Sequence, residues 1–206
     1  MKLLSVIVPC YNEEENIRDF YDELFRNTSF FEEKEIEVEV IYVDDGSTDK
    51  TVQEIRKLHG EDARVHLLSF SRNFGKEAAI FAGLELTSGD AVVVMDCDLQ
   101  HPPEVIPQMW KLWQNGAEVV EGIKESRGKE SLAHKLSAGL FYRIMSRLIK
   151  MDMNASSDFK LLDRKVVDVL LRLPLSHLIG DIFPAESRPE AQRPEKGIAL
   201  RQTPQH

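Results

Sequence analysis

Four short apolar runs, each closed by a proline, a glycine-bearing turn or a pair of carboxylates, limit this chain more than any other feature. Residues 3–8 end in Pro9, and residues 38–43 end in Asp44-Asp45-Gly46-Ser47. Residues 65–70 lead into Arg72-Asn73-Phe74-Gly75-Lys76, and residues 91–95 end in Asp96-Cys97-Asp98. Apolar runs of this length are the pattern of strands buried on both faces. Helical patterns separate them. Ile17, Phe20, Tyr21, Leu24 and Phe25 form one stripe, with Asn12 and Glu15 spaced as a capping pair ahead of it. Val52, Ile55 and Leu58 predict a helix stopped by Gly60, and residues 76–86 a short Ala-rich one. Pro103 suits the first turn of a helix running to Trp113 and closed by Asn115-Gly116, before a fifth strand at Val119 and Val120. This alternation predicts an α/β fold with a mainly parallel sheet covered by helices. Ligands of such sheets gather beyond the carboxyl ends of the strands, where the polar residues fall.

Further along, Leu136, Leu140, Ile144 and Leu148 give residues 131–150 an amphipathic helical pattern, with Lys135, Arg143, Arg147 and Lys150 on another side. Asp163 is placed to cap a helix over residues 164–173, which Pro174 ends. Beyond Phe183 the chain holds four of its nine prolines, with no aromatic residue and no periodicity. The expectation is one domain, residues 1–173, followed by a divergent Pro-rich tail, residues 174–206, without order.

Charge and hydropathy remove several classes of function. Lys and Arg number 26 against 35 Asp and Glu, a net charge of −9, so no nucleic-acid partner is expected. No stretch approaches the roughly 20 apolar residues that span a bilayer, so no transmembrane segment is predicted. Cys10 and Cys97 lack metal-ligand spacing and read as small buried hydrophobes in a reducing, cytoplasmic setting.

Asp96 and Asp98 stand one residue apart at the mouth of a buried strand. Two carboxylates so placed can hold a hard cation, Mg²⁺ or Mn²⁺, while it bridges a diphosphate and neutralises the charge of the leaving group. At the second strand end Gly46 permits a tight turn, and Ser47 or Thr48 can cap the next helix. The turn alone does not require both Asp44 and Asp45, and Asp45 is placed to accept hydrogen bonds from a ribose or base. Asp49 reads as a first-turn helix charge. At the first strand end Tyr11 can stack on a base and Glu13 can accept from a sugar or base edge. Arg72 and Lys76 flank a glycine before a helix N-terminus, a setting that favours anions. Asp158, beside Phe159, can enter the cleft as a base or cap a helix.

Taken together these residues resemble the family 2 glycosyltransferases, most nearly the polyprenyl-phosphate sugar transferases. The resemblance rests on Val8-Pro9-x-Tyr11-Asn12-Glu13, Val43-Asp44-Asp45-Gly46-Ser47-Thr48-Asp49, Arg72-Asn73-Phe74-Gly75-Lys76, Met95-Asp96-x-Asp98-Leu99-Gln100-x-Pro102 and Ser157-Asp158-Phe159-Lys160-Leu161. It implies a GT-A fold and an inverting hexose transfer from a UDP- or GDP-sugar to a lipid phosphate at the membrane surface. It implies that Pro9, Tyr11, Glu13, Asp44 and Asp45 hold the nucleoside, with Lys76 and Arg127 on the donor and Gln100 near the sugar. Asp96 and Asp98 then hold the metal and diphosphate, and Asp158 takes the place of the base. A phosphomonoester is already largely dianionic at neutral pH, its second pKa lying near ~6, so Asp158 is expected to position the acceptor as much as deprotonate it. The chain departs from the family at Lys124, where an arginine is common and Arg127 can compensate, and after Leu173. That second departure makes a truncated, donor-binding but transfer-impaired domain the competing expectation. A nucleotidyltransferase ranks lower, because residues 9–13 form no Gly-rich basic loop. A mononucleotide-binding module of the flavodoxin type ranks last, since it leaves Asp96 and Asp98 without a role. The family also permits peripheral membrane attachment and oligomers.

Overall fold

The computed structural model describes residues 1–26, 28–122 and 159–172. The order is β1 (Lys2–Cys10), α1 (Asn16–Arg26), α2 (Thr28–Glu33), β2 (Ile36–Asp44), α3 (Thr51–Glu61), β3 (Val65–Ser69), α4 (Lys76–Leu86) and β4 (Ala91–Val94). A 3₁₀ turn (Pro103–Val105) then leads to α5 (Ile106–Gln114), β5 (Val119–Glu121), β6 (Lys160–Asp163) and α6 (Arg164–Leu171). The strands lie in one sheet of order β3-β2-β1-β4-β6-β5. The first four are parallel, while β6 runs antiparallel to both β4 and β5.

The unbroken apolar runs exist because the sheet is covered on both sides. Leu4, Val6, Val8, Val40, Tyr42 and Val93 pack with Ile17, Phe20 and Leu24 of α1, Ile55 and Leu58 of α3, and Trp110 of α5. Ile7, Ile41, Val43, Val92 and Val94 pack on the opposite face with α4 and α6. Burying each such side chain contributes roughly 1.5–3 kcal/mol, so the central strands β1 and β4 anchor the domain. Their carboxyl ends open on one edge of the sheet, where the next elements must turn.

Several boundaries differ from expectation. Asn12 does not cap α1: its φ is 56°, and its side chain reaches the second loop instead. The carbonyl of Glu13 accepts from the backbone of Asn16 and Ile17, so α1 begins at Asn16. Gly60 lies inside α3, which ends at Glu61, where the Asp62 N–H closes on the Leu58 carbonyl. Neither Ser47 nor Thr48 caps α3, which begins after Lys50, and Asp49 lies before its first turn. The short β6 is the strand that periodicity did not predict; it separates β4 from β5. Its four residues run straight into α6, whose cap at Asp163 matches expectation: the carboxylate accepts from the Lys165 N–H at 2.8 Å. The predicted helix over residues 131–150, the tail from residue 174 and residues Lys124, Arg127 and Asp158 lie outside the described residues.

Helix α4 lies close on β1. A Cβ at Gly83 would stand 2.6 Å from Ile7 Cγ2 and 3.2 Å from Val43 Cγ2. Alanine is the better helix former by about 1 kcal/mol, but overpacking a filled core costs about 1–3 kcal/mol. Gly83→Ala is therefore expected to destabilise the domain in urea unfolding, and a gain in stability would contradict the close approach.

Candidate active site

The four parallel strand ends are tied to one another loop by loop. Between the first and second, the Asn12 N–H donates to Ser47 Oγ at 2.9 Å, and the Thr48 N–H donates to Asn12 Oδ1 at 2.9 Å. The Glu13 N–H donates to Thr51 Oγ1 at 2.8 Å, and the Lys50 N–H to the Glu14 carboxylate at 2.7 Å. Asp49 accepts from the Glu14 N–H and from the backbone and hydroxyl of Thr51. Burial works against the charge of Asp49, yet the bonds from Thr51 and Glu14 leave its pKa below the usual carboxylate value. The residues that read as helix caps are therefore stitches between loops.

Asp45 ties the second loop to the third. Its two carboxylate oxygens accept the Phe74 N–H at 2.7 Å and the Gly75 N–H at 2.9 Å, with 4% of the residue exposed. Burial raises its pKa, opposed by those two N–H groups and assisted by the charges of Asp44 and Glu77. The anion that meets the approach to α4 is thus a carboxylate of the protein itself. Gly46, at φ 73°, makes the contact close: a Cβ there would fall 2.4 Å from the backbone carbonyl carbon of Arg72. Asp44 turns inward, accepting from the Ser47 N–H and from Ser69 Oγ at 2.8 Å. Arg72 lies over the Phe74 ring, 4.6 Å from its centroid.

Lys76 ties the third loop to the fourth. Its ammonium sits 2.7 Å from Oδ1 and 2.8 Å from Oδ2 of Asp96, spanning the carboxylate. Asp98 is exposed, and its Oδ1 accepts the Gln100 N–H at 2.9 Å. Between them Cys97 is buried beside Cys10, whose thiol donates to the Val8 carbonyl; burial and the neighbouring thiol push Cys10 well up. The peptide at Phe159 is fixed by the Gly122 N–H, and its ring meets His101 at 5.5 Å, so the chain neighbour of Asp158 lies beside the exit of the fourth loop.

These ends enclose an open cleft of about 200 Å³, lined among the described residues by Pro9, Cys10, Tyr11, Glu13, Asp45, Lys76, Asp96, Cys97 and Asp98. Tyr11 is 46% exposed, so its ring is available to a planar ligand. Asp44 and Gln100 are not among the described lining residues, whereas Cys10 and Cys97, read from sequence only as core, are. Their places inside the first and fourth motifs were the available signal. The described lining carries four carboxylates and one ammonium, a field that repels a bare diphosphate and attracts a cation. Asp96 and Asp98 supply hard oxygen donors, which fit Mg²⁺ or Mn²⁺. No group of three or more Asp, Glu, His or Cys among the described residues is placed to hold an ion. The site therefore fits a cation whose remaining ligands are water and phosphate, the usual habit of Mg²⁺.

The family model for glycosyl transferase family 2 matches residues 5–171. Among curated proteins, the chain is 41% identical over 177 residues to a bactoprenol glucosyl transferase of Shigella phage SfX, covering 85% of the chain and 57% of that protein. It is 39% identical over 170 residues to the uncharacterised glycosyltransferase YkcC of Bacillus subtilis, covering 82% and 52%. It thus spans little more than half the length of these relatives. Among solved structures, the mannosyltransferase PcManGT of Pyrobaculum calidifontis, in complex with GDP-Man and Mn²⁺, superposes with a TM-score of 0.55. Identity there is 20%, over 81% of this chain and 46% of that one, which establishes a shared fold.

Removing the Asp45 carboxylate leaves two loop N–H groups without their acceptor. Asp45→Ala is expected to cost about 1–3 kcal/mol in urea unfolding. It should also speed hydrogen exchange at the Phe74 and Gly75 amides. Unchanged protection of those two amides would show that the loop is held by something else.

Proposed function

The chain belongs to glycosyltransferase family 2, and on that footing we propose that it transfers a hexose from a UDP- or GDP-sugar to a polyprenyl phosphate, inverting the anomeric carbon. The observation that carries the donor half is the acidic cleft, lined among the described residues by Tyr11, Glu13, Asp45, Lys76, Asp96 and Asp98. The acceptor half is supported by the 41% identity to a bactoprenol glucosyl transferase across 85% of the chain.

In this reading Tyr11 stacks on the base, Pro9 shapes the wall beside it, and Glu13 accepts from the nucleoside. Asp45 touches the nucleoside while keeping the third loop in place; Asp44 acts behind it by fixing the turn. Asp96 and Asp98 hold Mg²⁺ or Mn²⁺, with the exposed Asp98 the more direct ligand. When bound, that ion neutralises the charge that develops on the departing diphosphate. Lys76 reaches the same phosphates, Arg127 takes a further phosphate contact, and Gln100 lies near the sugar. Asp158 aligns the acceptor phosphate. The lipid substrate puts the reaction at the cytoplasmic face of a membrane, with Lys135, Arg143, Arg147 and Lys150 toward its anionic head groups. No helix among the described residues is long and apolar enough to cross that membrane.

Calorimetric titration with UDP, GDP and their common sugar conjugates, with and without Mn²⁺, tests the donor site. Metal-dependent binding of one nucleotide is expected, and Asp98→Ala should abolish it; affinity unchanged in that variant would remove Asp98 from the metal. Asp158→Asn is expected to keep donor affinity within about twofold while slowing transfer to polyprenyl phosphate at least tenfold. A loss of donor affinity matching that of Asp98→Ala would place Asp158 on the donor side instead.

A further inference from the structure

Cys10 and Cys97 are the only cysteines of the chain, far apart in sequence and brought together by one strand pair. β1 and β4 run parallel with Ile7 opposite Val94, and the Met95 N–H donates to the Ile7 carbonyl at 3.1 Å just past that pair. Cys10 lies three residues beyond Ile7 and Cys97 three beyond Val94, so the same register sets one cysteine opposite the other. Neighbouring strands stand about 4.8 Å apart, inside the roughly 4.4–6.8 Å found between the Cα atoms of a disulfide. The side chains meet: burial pushes the Cys10 thiol well up, and contact with the Cys97 thiol pushes it further. Both residues are almost fully covered, at 3% and 2% exposure, yet both line the open cleft. Packing alone asks only for two small apolar side chains here; two thiols in contact add a chemistry.

We propose that Cys10 and Cys97 close into a reversible disulfide when a peroxide enters the cleft, and that this link weakens donor binding. The proposal rests on the donor-site reading above and adds the regulation of that site. The oxidant is hydrogen peroxide. One thiol sulfur attacks a peroxide oxygen, the O–O bond breaks, and a sulfenic acid and one water form. The second thiol then attacks the sulfenic sulfur, the S–OH bond breaks, and the hydroxyl leaves with the thiol proton as a second water. In all, the two sulfurs give up two electrons and one peroxide is reduced to two waters. A small oxidant suits the setting, since the cleft holds about 200 Å³ and the sulfurs along it are nearly covered. Cys97 sits between Asp96 and Asp98 and lines the cleft with them. Drawing its sulfur onto Cys10 pulls the backbone that carries both carboxylates toward β1, and so disturbs the pair read as holding the metal. In a reducing compartment such a link is transient, the usual form of disulfides there. A dithiol reductant reopens it by exchange and is itself oxidised to a disulfide.

The test uses the full chain, reduced and then freed of reductant, before and after excess hydrogen peroxide. Thiols are titrated in denaturant, and proteolytic fragments are mapped by mass. Wild type is expected to lose both thiols and to yield a fragment joining Cys10 to Cys97, and dithiothreitol should restore both thiols. Calorimetric titration of UDP and GDP with Mn²⁺ should show affinity about tenfold or more weaker in the linked protein, as when groups supporting metal ligands are disturbed, and recovered on reduction. Cys10→Ala and Cys97→Ala are expected to form no link and to keep, through peroxide, the affinity each had before it. Should either unfold the chain, Cys10→Ser or Cys97→Ser takes its place. Two thiols still titrating after peroxide, or oxidation to sulfinic acids without a link, overturns the proposal. So does a link that leaves donor affinity unchanged, or a single-thiol variant that loses affinity as wild type does. If neither nucleotide binds the reduced protein, the donor reading falls, while the thiol count and the fragment map still decide whether the pair closes.

Discussion

The site depends first on one buried carboxylate. Asp45 stands at the end of β2 with almost no exposure, and its charge is tolerated there because two loop N–H groups point at it. A carboxylate buried without such partners would protonate rather than remain charged. Here the two forces oppose each other: burial raises the pKa and the Phe74 and Gly75 N–H groups pull it back. Those bonds set the position of Lys76, because Gly75 immediately precedes it at the start of α4. The position of Lys76 in turn fixes where Asp96 finds its counter-charge. A single interaction in the cleft wall therefore sets the spacing between the third and fourth strand ends.

The remaining ties run the same way. Asn12, Ser47, Thr48, Asp49 and Thr51 hold the first loop to the second through bonds between backbone donors and side-chain acceptors. Each is individually worth about 0.5–1.5 kcal/mol, and somewhat more where the acceptor is charged. Their collective effect is geometric. With the contacts of Asp45 and Lys76 they turn four separate strand ends into one rim, so a ligand meets a wall already formed and does not have to order four loops.

Much of this was legible in the sequence, and the failures have separate causes. Unbroken apolar runs identified β1 through β4 because a sheet covered on both faces requires them, and the polar residues at their ends marked the cleft. Asp163 caps its helix as expected, but three other polar side chains near helix starts do not. Asn12, Ser47 and Thr48 have the chemistry of caps, and local sequence cannot distinguish an N–H one turn ahead from an N–H on a loop distant in the chain. Strand β6 was hidden for a different reason. Lys160-Leu161-Leu162-Asp163 is four residues long and abuts a helix, so it offers neither alternation nor length; its pairing with β4 and β5 is purely a tertiary fact. Cys10 and Cys97 were legible as buried, but not as floor, because the register that carries β1 past Ile7↔Val94 to the cleft is not written locally.

Leu99 shows how firmly the fourth strand end is built. It takes a φ of 56°, a conformation that costs a residue with a branched side chain about 1–2 kcal/mol. Nothing in the turn's length demands it, and a glycine would adopt it freely. The side chain accounts for the choice: Leu99 packs against the main core cluster, which a glycine could not do. The consequence lies with its neighbours. The reversal lets Asp98 accept from the Gln100 N–H and stay exposed while Cys97 goes into the core and Asp96 faces Lys76. Two carboxylates one residue apart are thereby given different environments, one paired and half shielded, the other open to solvent.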